Sequence, residues 1–200
     1  MPATIHFLTW TTYGTWLPGD ERGWASAKTH SAMQPQGPLD TFSAKNLRAA
    51  PMYLDEEQRA ACANSIEATC QYYGWELCVV NVRQAHVHAL VGADVPSWRI
   101  MQAAKAWATR KMREAGLTKQ NRPVWTSNGS TRIVVDSDDL RAVLAHVLEG
   151  QGEVAPGTVR GSLVAVANPD TLVSGVDQVR AVCLYPDTHV SGSNSSDRTT

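Results

Sequence analysis

Two histidines separated by one valine, His86 and His88 in the stretch NVRQAHVHALVG (81–92), are the residues of this chain best suited to chemistry. The run around them, with Val82, Val87, Leu90 and Val91, reads as a buried strand. Side chains two positions apart in a strand stand on one face, about 6.5–7 Å apart along the chain. Both imidazoles therefore point the same way. They can close on a single divalent cation, and a strand fixes their separation better than a loop would. The short H-x-H spacing is equally compatible with two ordinary half-buried histidines, so the surrounding chain has to discriminate.

Its 200 residues, 43% of them hydrophobic, are enough for one domain with a real core and a tail. MPATIHFLTW has no basic leader, and no apolar run approaches the roughly 18 residues that span a bilayer, so the expectation is a cytoplasmic protein with no membrane partner. Cys62, Cys70, Cys78 and Cys183 lack C-x-x-C spacing and are expected to fill the core as thiols. The formal net charge is only −1, but its distribution is uneven. Between Arg99 and Arg132 stand Arg99, Lys105, Arg110, Lys111, Arg113, Lys119, Arg122 and Arg132 against the single acid Glu114. A phosphate backbone needs such a local patch and not a basic average.

The elements that would position these groups follow from periodicity and caps. Ile5–Trp10 reads as a first strand, running into a segment rich in glycine and tryptophan, TTYGTWLPGDERGW (11–24). Residues 25–53 read as a long irregular insertion. Asp55 and Gln58 form a capping box for a helix that Gly74 ends, with Cys62, Ile66, Thr69 and Tyr73 on its buried face. Trp75–Val82 and His86–Gly92 read as an antiparallel hairpin with the histidines at its return. Ser97 is expected to cap a second helix to about Ala115, with Ile100, Ala104, Trp107, Ala108 and Ala115 along one side and Arg99, Arg110 and Arg113 along another. Val124–Val135 holds a fourth strand region with a bend at Gly129 and Ser130. Asp136 or Ser137 caps a third helix with Leu140, Val143, Leu144 and Val147 inward, ended by Gly150. The order β-α-β-β-α-β-α predicts an α+β, ferredoxin-like (RRM-like) antiparallel sheet with helices on one face. Residues 1–152 form that domain, and 153–200 are a C-terminal extension with a solvated, partly disordered end.

A histidine pair flanking one hydrophobic residue at a strand end, followed by a basic helix, resembles the HUH single-strand nucleases. More closely, the chain resembles the single-tyrosine HUH transposases and their REP-associated relatives. The similarity is carried by LTWTTYGTWLPGDERGW (8–24), GWELCVVNVRQAHVHALV (74–91), KAWATRKM (105–112), WTSNGSTR (125–132) and HVLEGQG (146–152), in that order. The resemblance implies single-stranded or hairpin DNA as partner, with homodimers as an open arrangement. It implies Mg²⁺ or Mn²⁺ on His86, His88 and one further polar side chain, polarising a scissile phosphate. A helix-borne tyrosine then attacks phosphorus, leaving a 5′-phosphotyrosine and a free 3′-hydroxyl. Arg99, Lys105, Arg110, Lys111, Arg113, Arg132 and Trp16 become the expected DNA contacts.

The chain departs from that pattern where it matters most. His146 stands where the relatives carry the tyrosine, and Ala85 replaces an asparagine common before the first histidine. Tyr13, Tyr53, Tyr72, Tyr73 and Tyr185 sit in positions better suited to structural roles. For the third ligand, Glu149 lies about 60° from His146 on a continuous helix and Gln151 about 140°. An unbroken helix favours Glu149, whereas a helix ended at Gly150 frees Gln151, the residue favoured by the resemblance. Two functions compete: a DNA-cleaving, strand-transferring transposase-like protein degraded at position 146, and a non-catalytic DNA-binding module derived from one. An unrelated metal hydrolase lacks further well-placed ligands. An RRM-type RNA binder lacks paired stacking aromatics on its central strands.

Overall fold

The first strand, β1 (Thr4–Thr11), alternates half-buried and buried residues along its length, the signature of a strand in the middle of a layered core. The chain is described here from a computed structural model, which covers residues 4–26 and 31–148 and the backbone of 158–160. Helix α2 (Glu56–Tyr73) starts at the expected capping box: Asp55 accepts from the Gln58 amide, and the Gln58 side chain accepts from the Asp55 amide. It stops at Gly74, whose φ of 68° is the left-handed value that glycine adopts without strain. Strands β4 (Glu76–Val82) and β5 (His86–Ala93) form the hairpin, then α3 (Ser97–Glu114), β6 (Ser130–Ile133) and α4 (Ser137–Leu148) follow.

The sheet order is β6-β1-β5-β4, all antiparallel, which with helices α2 and α3 as crossovers is the ferredoxin-like arrangement expected. A short fifth strand, β7 (Thr158–Arg160), pairs with the outer edge of β4. The sheet thus draws on chain beyond the boundary expected at 152. The expected disordered end falls outside the described residues.

The helices do not share one face, contrary to expectation. Leu8, Trp10, Val80, Val82, Val87, Ala89 and Val91 pack beneath α2 and α3, through Cys62, Ile66, Ile100, Ala104 and Ala108. The opposite face, with Cys78, Val79 and Leu90, is covered by Leu140, Val143 and Val147 of α4. The physical reason lies in β5, where seven of eight residues are buried, so that both faces need apolar cover. Cys62, Cys70 and Cys78 are buried in these cores, and burial pushes the Cys70 thiol up to about 12, consistent with inert packing.

Other local expectations also shift. The 25–53 insertion is not wholly irregular: β2 (Trp24–Ala25) pairs with β3 (Ala32–Met33), and α1 spans Gly37–Lys45. Pro38 in the first turn of α1 and Lys45 in the last were its sequence signals, weak because α1 buries no residue. Helix α3 is capped by Pro96 with no side-chain bond, so Ser97 is its first residue and not its cap. Tyr73 is 42% exposed and stacks on Trp75 at 4.6 Å instead of entering the core, and Ala115 is exposed at the C-cap of α3. Asp136 caps α4, accepting from the Asp139 amide at 2.9 Å.

Beside β6 the chain passes so close to its neighbours that a Cβ on Gly129 would sit 2.6 Å from the Thr9 carbonyl oxygen and 2.7 Å from the Met101 sulfur. A Cβ on Gly37 meets nothing within 4 Å. Gly129→Ala is expected to destabilise the protein by about 1–3 kcal/mol. Gly37→Ala, at an open helical position, should be neutral or slightly stabilising; urea denaturation of the two variants checks the contrast.

Candidate functional site

The histidine pair is placed by strand register. In the β1–β5 ladder Thr9 lies across from His88 and Thr11 across from His86. Both histidines belong to the face that α4 covers, because the alternate positions Val87 and Ala89 pack beneath α2 and α3. The two imidazole centres are 4.8 Å apart with planes at 80°. The Thr9 hydroxyl meets Nδ1 of His88 at 3.0 Å. When Nδ1–H donates to that hydroxyl, Nε2 carries the lone pair, the arrangement by which a second residue orients a ligating histidine. Thr9 thereby fixes the orientation of the His88 ring, with β1 alternation as its only sequence signal.

Helix α4 delivers the third imidazole. His146 sits with its ring 5.2 Å from that of His88 and edge-on to it, and 6.2 Å from Phe7. Phe7 stacks nearly parallel to His88 at 5.8 Å, so one aromatic ring contacts both. Apolar spacing fixes the helix: Leu140, Val143 and Val147 enter the core and leave His146 on the exposed side. A buried tie reinforces it, since Asn81, across from His88 on β4, donates its amide to the Val147 carbonyl at 2.7 Å. Phe7 and Asn81 escaped sequence reasoning because each reads as ordinary strand content.

Two rings 4.8 Å apart on one face suit a shared ion, because each nitrogen has to reach within about 2.0–2.1 Å of it. Among the described residues no three His, Cys, Asp or Glu side chains form a ready metal cluster, and Glu149 and Gln151 lie outside those residues. The donor chemistry of His86 and His88 fits a divalent ion.

The basic block is divided by the fold. Arg132, across from Phe7 in the β1–β6 ladder, lies over the Phe7 ring at 5.9 Å and shares the histidine face. It also binds Asp139 at 2.5 Å, and that guanidinium holds the Asp139 carboxyl below its usual range. Arg99, Arg110 and Lys111 are exposed on α3, on the other side of the sheet. Glu114 engages both Arg110 and Lys111, and Arg110 covers Trp107. Arg113 is half-buried and donates to the Arg122 carbonyl. Lys105 faces inward: its ammonium donates to the carbonyls of Thr126 and Asn128 at 3.0 and 2.9 Å, tying α3 to the loop before β6. Burial pushes it down to about 8. Trp16 is 41% exposed, with its indole donating to the Gly23 carbonyl and Arg22 over its face. The structure thus gathers His86, His88, His146 and Arg132, and sets the α3 cations apart from them.

No family model matches the chain and no curated protein is similar to it. Among solved structures it is similar to a REP-associated tyrosine transposase bound to a REP hairpin, at 11% identity and a TM-score of 0.44, over 75% of this chain and 67% of that one. It is also similar to a protein of Deinococcus radiodurans R1 assigned as a transposase, at 17% identity and a TM-score of 0.40, over 76% of this chain and 92% of that one. No helix among the described residues is long and apolar enough to cross a membrane.

Two predictions follow from the local bonding. Asn81→Leu leaves the Val147 carbonyl without its buried donor and is expected to cost about 1–3 kcal/mol, read from urea unfolding, with α4 amides exchanging faster than those of α2. Lys105, with a folded pKa of about 8 below its ordinary 10.5, binds fewer protons than the unfolded chain between those values. Its burial penalty is thus complete below pH 8 and is relieved as pH rises toward 10.5. Comparing urea midpoints of wild type and Lys105→Met across that window should show a more positive slope with pH in the wild type; equal slopes would contradict the assignment.

Proposed function

We propose that this is a transposase-like HUH protein that holds single-stranded or hairpin DNA across the face bearing His86, His88 and His146, and whose cleavage chemistry is degraded by the histidine at 146. The observation that carries the proposal is the position of His146. The residue that aligns with the expected tyrosine comes from a different element, 58 positions along the chain from His88, yet its ring stands 5.2 Å from it. Such convergence of a helix residue on a strand pair is what nucleophilic attack beside a cation requires.

His86 and His88 would hold Mg²⁺ or Mn²⁺, with Glu149 or Gln151 as third ligand, and the ion when bound would polarise the scissile phosphate. Thr9 keeps the His88 ring oriented through Nδ1. Arg132 offers a cation on the same face for a neighbouring phosphate. His146 is an inefficient nucleophile there, because an imidazole is shorter than a phenol and its attacking atom falls short of a phosphate placed for tyrosine. Small misplacements of this kind cost orders of magnitude in rate. The second reading, a purely DNA-binding module, is favoured by that same substitution.

His146→Tyr separates them. Incubated with labelled hairpin DNA and Mn²⁺, the variant is expected to give a covalent protein–DNA band that the unmodified protein lacks or forms far more slowly. No band from the variant, with DNA still bound, supports the binding module. A band from the unmodified protein that survives His146→Ala would place the nucleophile elsewhere, with Tyr72, Tyr73 and Tyr185 next in line.

A further inference from the structure

At the end of the sheet where His86 starts β5, but around the turn from the histidine face, lies an open cleft of about 660 Å³. Tyr13, Asn46, Arg48, Lys119, Asn121 and Arg122 line it, together with small apolar residues, and no carboxylate does. None of its three cations is in an ion pair among the described residues. Arg122 is half-buried. One of its terminal nitrogens donates to the Pro51 carbonyl at 3.1 Å, whereas its buried Nε finds no acceptor among the described residues. A buried guanidinium donor left without an acceptor is costly.

The cleft is built and held open by backbone. The Tyr13 amide donates to the Val124 carbonyl, and the Tyr13 carbonyl accepts from Met52. The Tyr13 hydroxyl accepts from the Arg48 amide at 2.9 Å, fixing the ring as one wall. Tyr13 comes two residues after Thr11, the partner of His86, and between them Thr12 bonds the Ala85 carbonyl through both its amide and its hydroxyl. The cleft and the histidine face therefore share a rigid corner.

The geometry points to this cleft as a second nucleic-acid subsite, taking the phosphodiester backbone of a single DNA strand that leaves the histidine face around the sheet end. Arg48 on one segment and Lys119 and Arg122 on another spread the positive charge along the cleft, which suits successive phosphates better than one compact anion. This inference rests on the DNA-binding function proposed above.

The test uses the full chain, a 5′-labelled oligothymidylate with no hairpin, and fluorescence anisotropy over a range of salt. Arg48 and Lys119 are both exposed, so the double variant Arg48→Ala/Lys119→Ala changes surface side chains only. If each contacts one phosphate, affinity at low salt should fall about tenfold and the slope of log affinity against log salt should flatten by about 1.4, at roughly 0.7 per contact. An unchanged affinity and slope would overturn the subsite. Thymidine monophosphate and inorganic phosphate serve as competitors: failure of either to displace the oligonucleotide at millimolar levels supports a strand, and displacement by either at lower concentration than unlabelled oligonucleotide overturns it. His88→Ala and labelled hairpin keep the two claims apart. If the double variant loses the oligonucleotide while His88→Ala still binds hairpin normally, the cleft stands and the histidine site fails. The reverse pattern removes the cleft alone.

Discussion

The register between β1 and β5 is the constraint on which the rest of the structure depends. It sets Thr9 across from His88 and Thr11 across from His86, and a slip of one residue would turn every one of these side chains to the other face. Packing on both faces forbids that slip. Leu8 and Trp10 are enclosed beneath α2 and α3, with Val87, Ala89 and Val91 from the partner strand. On the opposite face Phe7 and Leu90 meet α4. Exchanging these sets would force Trp10 against α4 and His88 beneath α3, so core complementarity carries over directly into the orientation of the imidazoles.

Covering the second face brings a third imidazole beside the histidine pair. Helix α4 buries Leu140, Val143 and Val147, and the remaining geometry follows from 3.6 residues per turn: His146 emerges beside the last buried turn, over Phe7 and His88. Two polar ties fix the helix further, Asn81 to the Val147 carbonyl and Arg132 to Asp139. The same helix that completes the core thus presents position 146 on its exposed side, where a change of residue type leaves the buried contacts in place.

Much of this was legible in the sequence where local rules act alone. The capping box at Asp55 and Gln58, the left-handed stop at Gly74 and the hairpin ending at His86 depend on neighbours within a few residues, and all stand as expected. What stayed hidden depends on contacts distant in sequence. The placement of α4 on the far face follows from how completely β5 is buried, which its apolar run suggests but does not assign to particular helices. The inward turn of Lys105 toward the Thr126 and Asn128 carbonyls could not be told from a solvated lysine by spacing. Thr9 and Asn81 gain their roles only from the partners across the sheet and on α4. Helix α1 was missed because, burying nothing, it carries no apolar period.

The central claim is that His86 and His88 act as one divalent-ion site. Titration of the intact protein with Mn²⁺, followed by the loss of the free-ion electron paramagnetic resonance signal, tests it most directly. One ion per chain is expected at neutral pH, with binding abolished by His86→Ala and by His88→Ala separately. Mn²⁺ binding that persists with unchanged stoichiometry and affinity in both variants would contradict it.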